Sequence, residues 1–207
     1  MKIVNIEKAK QEFIRFADSY DLTNSHMSRK KYHSLRVIEV SNFLAKEENL
    51  TEEEVEIATL IGLLHDIARF KQYTEYHTFR DKESFDHGDM AVAILEKDNY
   101  LRKYIETNNY DTIIKLAIKN HNKFAIEKGL TEEQNKFCKI IRDADKIDIL
   151  FQSTVQMWSE ETDKMENSKL NPDLKKELDD TNALEYKNYK KIEYADQIIQ
   201  LLAYVLI

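Results

Sequence analysis

The sequence predicts an all-α protein, a compact helical bundle, and three observations carry that prediction. Only 3 of the 207 residues are Gly and 1 is Pro, whereas sheet proteins need such residues at frequent tight turns. Apolar residues recur at three- and four-residue steps along most of the chain, the period of a helix with one buried face. Two of these stretches open on a capping box, Thr51-Glu52-Glu53-Glu54 and Thr131-Glu132-Glu133-Gln134. There the first side chain and the one three residues later satisfy each other's backbone amides.

The elements follow in order. Residues 6–20 place Ala9, Phe13, Phe16 and Ala17 on one stripe. The polar stretch 21–30 reads as a loop. A helix over about 29–48 turns Leu35, Val37, Val40, Phe43 and Leu44 inward. The helix opened by Thr51 repeats Val55, Ala58, Ile61, Leu64 and Ala68. Residues 70–85 are polar, aromatic and aperiodic, so they read as a long surface connection, and long connections in compact domains often serve function. Asp86 can cap a helix over 87–95. Further helices are expected over about 111–120 and from the second box to about 151. A short polar helix starts at Asn171-Pro172-Asp173, and a final helix over about 183–206 buries Ile192, Ala195, Ile198, Ile199, Leu202 and Val205. No stretch has linker composition, so residues 1–207 read as a single domain, with C-terminal helices over about 172–206 packing on the rest.

Composition removes several function classes. Lys+Arg 31 against Asp+Glu 38 gives a net charge of −7, which disfavours a stable nucleic-acid partner or an acidic membrane. Cys138 is the one cysteine, so no disulfide framework is available and a reducing compartment is expected. The apolar run 198–207 is too short for a bilayer that needs about 20 residues, and the first residues lack a signal-peptide core. The expected location is cytoplasmic. Gly62, Gly88 and Gly129 lie far apart, so no Gly-rich phosphate loop can be written. If this chain handles phosphate, groups other than such a loop must hold it.

The histidines are His26, His33, His65, His77, His87 and His121. His65-Asp66 stands between Leu63-Leu64 and Ile67-Ala68. A carboxylate in apolar surroundings is costly unless paired or coordinated, and imidazole with carboxylate suits divalent transition metals. Taken alone, the dipeptide reads first as a hydrogen-bonded helix end. His33, His87, His121 and Asp145 change the balance, because each lies near a helix end or beside an apolar face, where a pocket between helices can form.

The order of His33 in "HSLRV", His65-Asp66 in "GLLHDIARF" and Asp145 in "RDADKIDIL" resembles the HD-domain metal-dependent phosphohydrolase superfamily, over about residues 29–151. The resemblance implies an all-α bundle and a metal centre. His33, His65, Asp66 and Asp145 match the four ligands of a primary metal, with Asp143 the alternative for the last. Asp143 or Asp148 would hydrogen-bond a ligand histidine. His87 and His121 match the extra histidines of dinuclear members, in which the Asp of the pair bridges the ions. The alternative is that both line a one-metal pocket and bind phosphate. One or two ions are implied, of Fe, Mn, Zn, Ni or Co, with Mg a further candidate.

Asp66 would position the nucleophile, and Lys146, Arg36 and Arg69 would hold phosphate, the alternative for each cation being a surface salt bridge. His26 and His77 have no counterpart. Tyr73, Tyr76, Tyr186, Tyr189 and Tyr194 can stack a base or pack at the edge of the core. The expected function is hydrolysis of a small phosphate ester, plausibly a nucleotide. A diiron oxygenase and a non-catalytic nucleotide-binding module are the alternatives. The apolar end, residues 201–207, packs on the core or forms a homodimer contact.

Overall fold

Asn5 starts the first helix by accepting a hydrogen bond from the Lys8 amide at 3.0 Å. Helix α1 (Ile6–Asp18) buries Ala9, Phe13 and Ala17. The structure, a computed structural model, describes residues 2–160, 169, 171–173 and 176. Among the described residues there is no strand, and the fold is all-α. The elements after α1 are α2 (Ser25–Glu47), α3 (Glu52–Leu64), α4 (Ala68–Tyr76), α5 (His87–Glu96), α6 (Asp111–Asn120) and α7 (Glu132–Glu160). Short 3₁₀ turns lie at Asp81–Glu83 and Lys97–Lys103. No described helix is long and apolar enough to cross a membrane.

The chain divides into two compact units, Met1–Asp145 and Lys146–Ile207. In the second, the described helix continues from Lys146 to the end of α7, where the Gln152 amide donates to Asp148 at 2.6 Å. The final helix expected over about 183–206, and with it the apolar end, lie outside the described residues.

In the first unit α3 is central. Its Thr51 cap is reciprocal, with Thr51 and Glu54 satisfying each other's amides. The expected single stripe becomes burial on every side, since all residues from Ile57 to Leu64 are buried. The reason is that α1, α2 and α6 all pack on α3. Gly62 makes the α2 contact close: a Cβ there would stand 2.5 Å from Ser41 Oγ and 3.1 Å from the Val37 carbonyl. Gly88 does the same for α5 against α6, where a Cβ would lie 2.9 Å from the Lys119 carbonyl.

Three expectations are corrected. Helix α2 starts at Ser25, not near 29, because Asn24 caps it by accepting from the His26 amide at 2.9 Å. Phe43 does not face inward; it is 59% exposed, and Val37, Ile38, Ser41 and Ala45 line the buried face. The first part of 70–85 is helix α4 rather than connection. Its pattern is hard to see because Gln72 is a buried polar residue, while Phe70 anchors the core edge-on to Phe13 and Phe16 at 6.0 and 5.9 Å.

Candidate metal centre

The centre forms where helices end. Helix α3 stops at Leu64, and residues 65–67 form a tight turn into α4 without uncoiling. That turn holds His65 and Asp66, 0% and 2% exposed. His33 comes from the middle of α2, His87 from the first turn of α5, His121 from the residue that caps α6, and Asp145 from α7. Arg142, one turn before Asp145, donates to the carbonyls of Asn120 and Lys123, and so fixes α7 against the end of α6.

Asp66 faces two groups of ligands, one with each oxygen. Its Oδ2 lies 3.6 Å from His33 Nε2 and 3.7 Å from His65 Nε2. Asp145 Oδ1 closes that group, 3.0 Å from His33 Nε2 and 3.5 Å from His65 Nε2. Asp66 Oδ1 lies 3.5 Å from His87 Nε2 and 3.6 Å from His121 Nε2. Two ligands bonded to one ion at about 2.0–2.1 Å stand roughly 3–3.5 Å apart, and these spacings, from 3.0 to 3.7 Å, lie in or just beyond that range.

The protonation states fit an ion as well. His65 Nδ1 lies 2.8 Å from the Gly62 carbonyl and His121 Nδ1 lies 2.6 Å from the Ile118 carbonyl. A carbonyl only accepts, so each Nδ1 carries the proton. His87 Nδ1 donates to Asp81 Oδ2 at 2.6 Å. The opposite nitrogens then present lone pairs, and those of His87 and His121 face each other at 3.0 Å. Two lone pairs at that separation repel unless a cation lies between them. Tautomers here are assigned from these partners. Imidazoles oriented by a carbonyl or carboxylate on the far nitrogen are the usual support for metal ligation.

Charges are set accordingly. Burial by itself would raise Asp66, but Lys30, His65 and Arg69 outweigh it and hold the carboxyl well below the usual range. Asp145 too is held below the usual range, against the cost of its burial. Burial pushes His65 down, and His87 down to about 4. Neutral imidazoles and ionised carboxylates are the forms that bind metal. By contrast, burial pushes the Cys138 thiol up to about 12, so it is inert.

A pH dependence follows for metal-stripped protein. Between pH 6.5 and about 4 the unfolded chain protonates His87 and the folded chain does not. The unfolded state binds more protons there, so stability falls as pH drops through that window. His87, with its shift to about 4, contributes roughly 3 kcal/mol. At still lower pH the stability held by ionised Asp66 and Asp145 is lost too. Thermal melts of EDTA-treated protein are expected to show Tm falling steadily from about pH 6.5 to 4; a flat Tm over that range contradicts the assignment.

A family model for the HD domain matches residues 31–150. The chain belongs to the HD-domain family. No curated protein and no solved structure matched this HD domain. Among the described residues, the groups that can hold a metal ion are His33, His65 and Asp66; His65, His121 and Asp145; and Asp66, His87 and His121. The structure thus brings together all six residues that the sequence nominated as ligands. Asp143 is exposed on α7.

The expected phosphate-binding cations are placed differently from one another. Arg69 donates to Asp66, Gln72, the Phe79 carbonyl and Asp81. Arg36 is half-buried on α2 and has interactions of its own. Lys146 is a buried residue of the second unit. The exposed residues His26 and His77 flank Tyr73, with ring centroids at 5.1 and 6.2 Å.

Four functional residues were not foreseen. Lys30 donates to Asp66 Oδ2 at 2.7 Å. Asp81 accepts the hydrogen bond from His87 Nδ1, the role expected of Asp143 or Asp148. Gln72 and Asn122 donate to Asp81 at 2.9 and 3.1 Å. The available signal for Lys30 was its place one turn before His33.

Proposed function

We propose that this HD domain is a metal-dependent phosphohydrolase that cleaves a small phosphate ester, a nucleotide in the favoured reading. The observation that carries it is the two-sided environment of Asp66, whose oxygens face separate pairs of histidines. His33, His65, Asp66 and Asp145 would hold one ion, and Asp66, His87 and His121 a second. A divalent ion supplies a water of lowered pKa and polarises the phosphoryl oxygen.

The chain's own residues do the rest. Asp66 fixes the spacing of the two groups. Gly62, Ile118 and Asp81 hold the protons on the outer nitrogens, so the inner nitrogens stay free to ligate. The nucleotide reading is supported by a run of rings beside these residues. Tyr73 lies tilted against Phe79 at 5.0 Å and against His26 at 5.1 Å, and aromatic faces can stack on a base.

The test is metal analysis of purified protein, with phosphate release from a panel of phosphorylated metabolites under Mn, Fe, Co, Ni and Mg. Bound metal and metal-dependent phosphate release are expected. Oxygen consumption with iron and no phosphate release would favour the oxygenase instead. Ligand binding unaffected by removal of metal would favour the non-catalytic module.

A further inference from the structure

The cation in contact with Asp66 Oδ2 lies in the segment whose composition reads as a loop. Lys30 is on α2, one turn before His33, and its Nζ lies 2.7 Å from Asp66 Oδ2. The same ammonium lies 5.5 Å from the centre of the Phe79 ring. Arg69, from α4, approaches the other oxygen, Oδ1, at 3.3 Å and the same ring at 5.6 Å. Two cations from two helices therefore bracket one carboxylate.

They differ in how many protein groups hold each. Arg69 is tied through Nε and Nη1 to four protein acceptors, Asp66, Gln72, the Phe79 carbonyl and Asp81. Lys30 has three N–H donors, and its hydrogen-bond acceptor among the described residues is Asp66. Its side chain is 18% exposed. A carboxylate oxygen has two lone-pair directions, so Lys30 and an ion can share Oδ2.

We propose that Lys30 grips a phosphoryl oxygen of the substrate beside the metal centre, while Arg69 is a brace that holds Asp66 and Asp81 in place. The assignment rests on the phosphohydrolase reading above. The Asp66 contact holds Nζ beside the carboxylate next to which the phosphoryl group would bind. An ammonium already held in position loses little freedom on gripping an anion. Its two remaining donors suit the oxygens of a phosphate, as charge-assisted hydrogen bonds.

The test uses holoprotein loaded with Mn(II) and inorganic phosphate as the probe. Calorimetry gives the phosphate Kd, and elemental analysis gives metal per chain. Lys30→Ala is expected to keep the wild-type metal content while its phosphate Kd rises about tenfold or more. Removing a cation from the ligand shell does not weaken metal binding, so the two readouts separate. Lys30→Arg should stay within about threefold of wild type. Lys30→Met keeps the stem that packs near Phe79, and must behave as Lys30→Ala does. Lys31→Ala removes the same charge one residue away, from a side chain paired with Asp18, and should change nothing.

Unchanged phosphate binding in Lys30→Ala and Lys30→Met overturns the proposal. So does loss of metal in both, which would make Lys30 a support for Asp66 only. An equal loss in Lys31→Ala overturns it as well, by showing a general field effect. If wild-type holoprotein neither binds phosphate nor releases it from esters, the phosphohydrolase reading falls and takes Lys30 with it. If the wild type binds phosphate and the Lys30 variants match it, only the Lys30 assignment falls.

Discussion

Asp66→Ala is expected to strip the protein of metal and abolish turnover. Both proposed ion positions share this one side chain, so a single substitution removes a ligand from each. The carboxylate is also the only acidic side chain in the set Asp66, His87 and His121. An ion that supplies several kcal/mol of transition-state stabilisation takes about a thousandfold or more of the rate with it when lost.

Stability changes too, because Lys30 and Arg69 both lose their shared acceptor. Breaking a buried ion pair costs about 3–5 kcal/mol, and less where the cations reach water, as these two partly do. Asp66→Asn separates the effects. It keeps the shape and one acceptor oxygen, so it should fold near wild type and still fail to load metal. Metal content by elemental analysis and phosphate release check the pair. Retained turnover in either variant removes the proposed centre.

His121→Ala is expected to cut metal content from two ions per chain to one, and activity by about a hundredfold. His121 Nε2 lies 3.0 Å from His87 Nε2 and 3.6 Å from Asp66 Oδ1, and it also groups with His65 and Asp145. His33, His65, Asp66 and Asp145 all remain in the variant, so the first group of ligands should keep its ion. The same imidazole also donates to the Ile118 carbonyl at the end of α6, so alanine removes a helix cap as well as a ligand. His121→Asn is the control, since its amide can still donate to that carbonyl but ligates poorly. Both variants should hold one ion, with the Asn variant melting higher. If wild type holds one ion and His121→Ala holds one too, with a raised KM, these histidines bind phosphate over a single metal.

The sequence made the candidate ligands easier to find than their supports. His33, His65, Asp66, His87, His121 and Asp145 are rare polar types at the edges of apolar runs, and such edges stand out. The helices with clear caps, Thr51, Asp86 and Thr131, were legible for the same reason. Helix α4 was not, because Gln72 is buried to serve Asp81, Ser84 and Phe85, and so interrupts the apolar period. Asp81 was missed because its partner is six residues away across an irregular turn, a distance at which no helical or strand spacing applies. Lys30 was hidden by the reading of residues 21–30 as a loop, which overlooked the Asn24 cap. Phe43 shows the converse error, an apolar residue at helical spacing that faces water.

The turn between α3 and α4 brings His65 and Asp66 to a point that α2, α5, α6 and α7 also reach. An ion held there joins segments from His33 to Asp145, 112 residues apart (145 − 33), in a chain whose lone cysteine is buried and cannot cross-link it. The ion would then act as a removable rivet, doing what disulfides do in oxidising compartments. By mass action, free metal at a hundred times its Kd adds about 2.7 kcal/mol to the folded state. The lifetime of the folded chain in a cell would then follow its metal supply, with starved molecules the first to be unfolded and degraded.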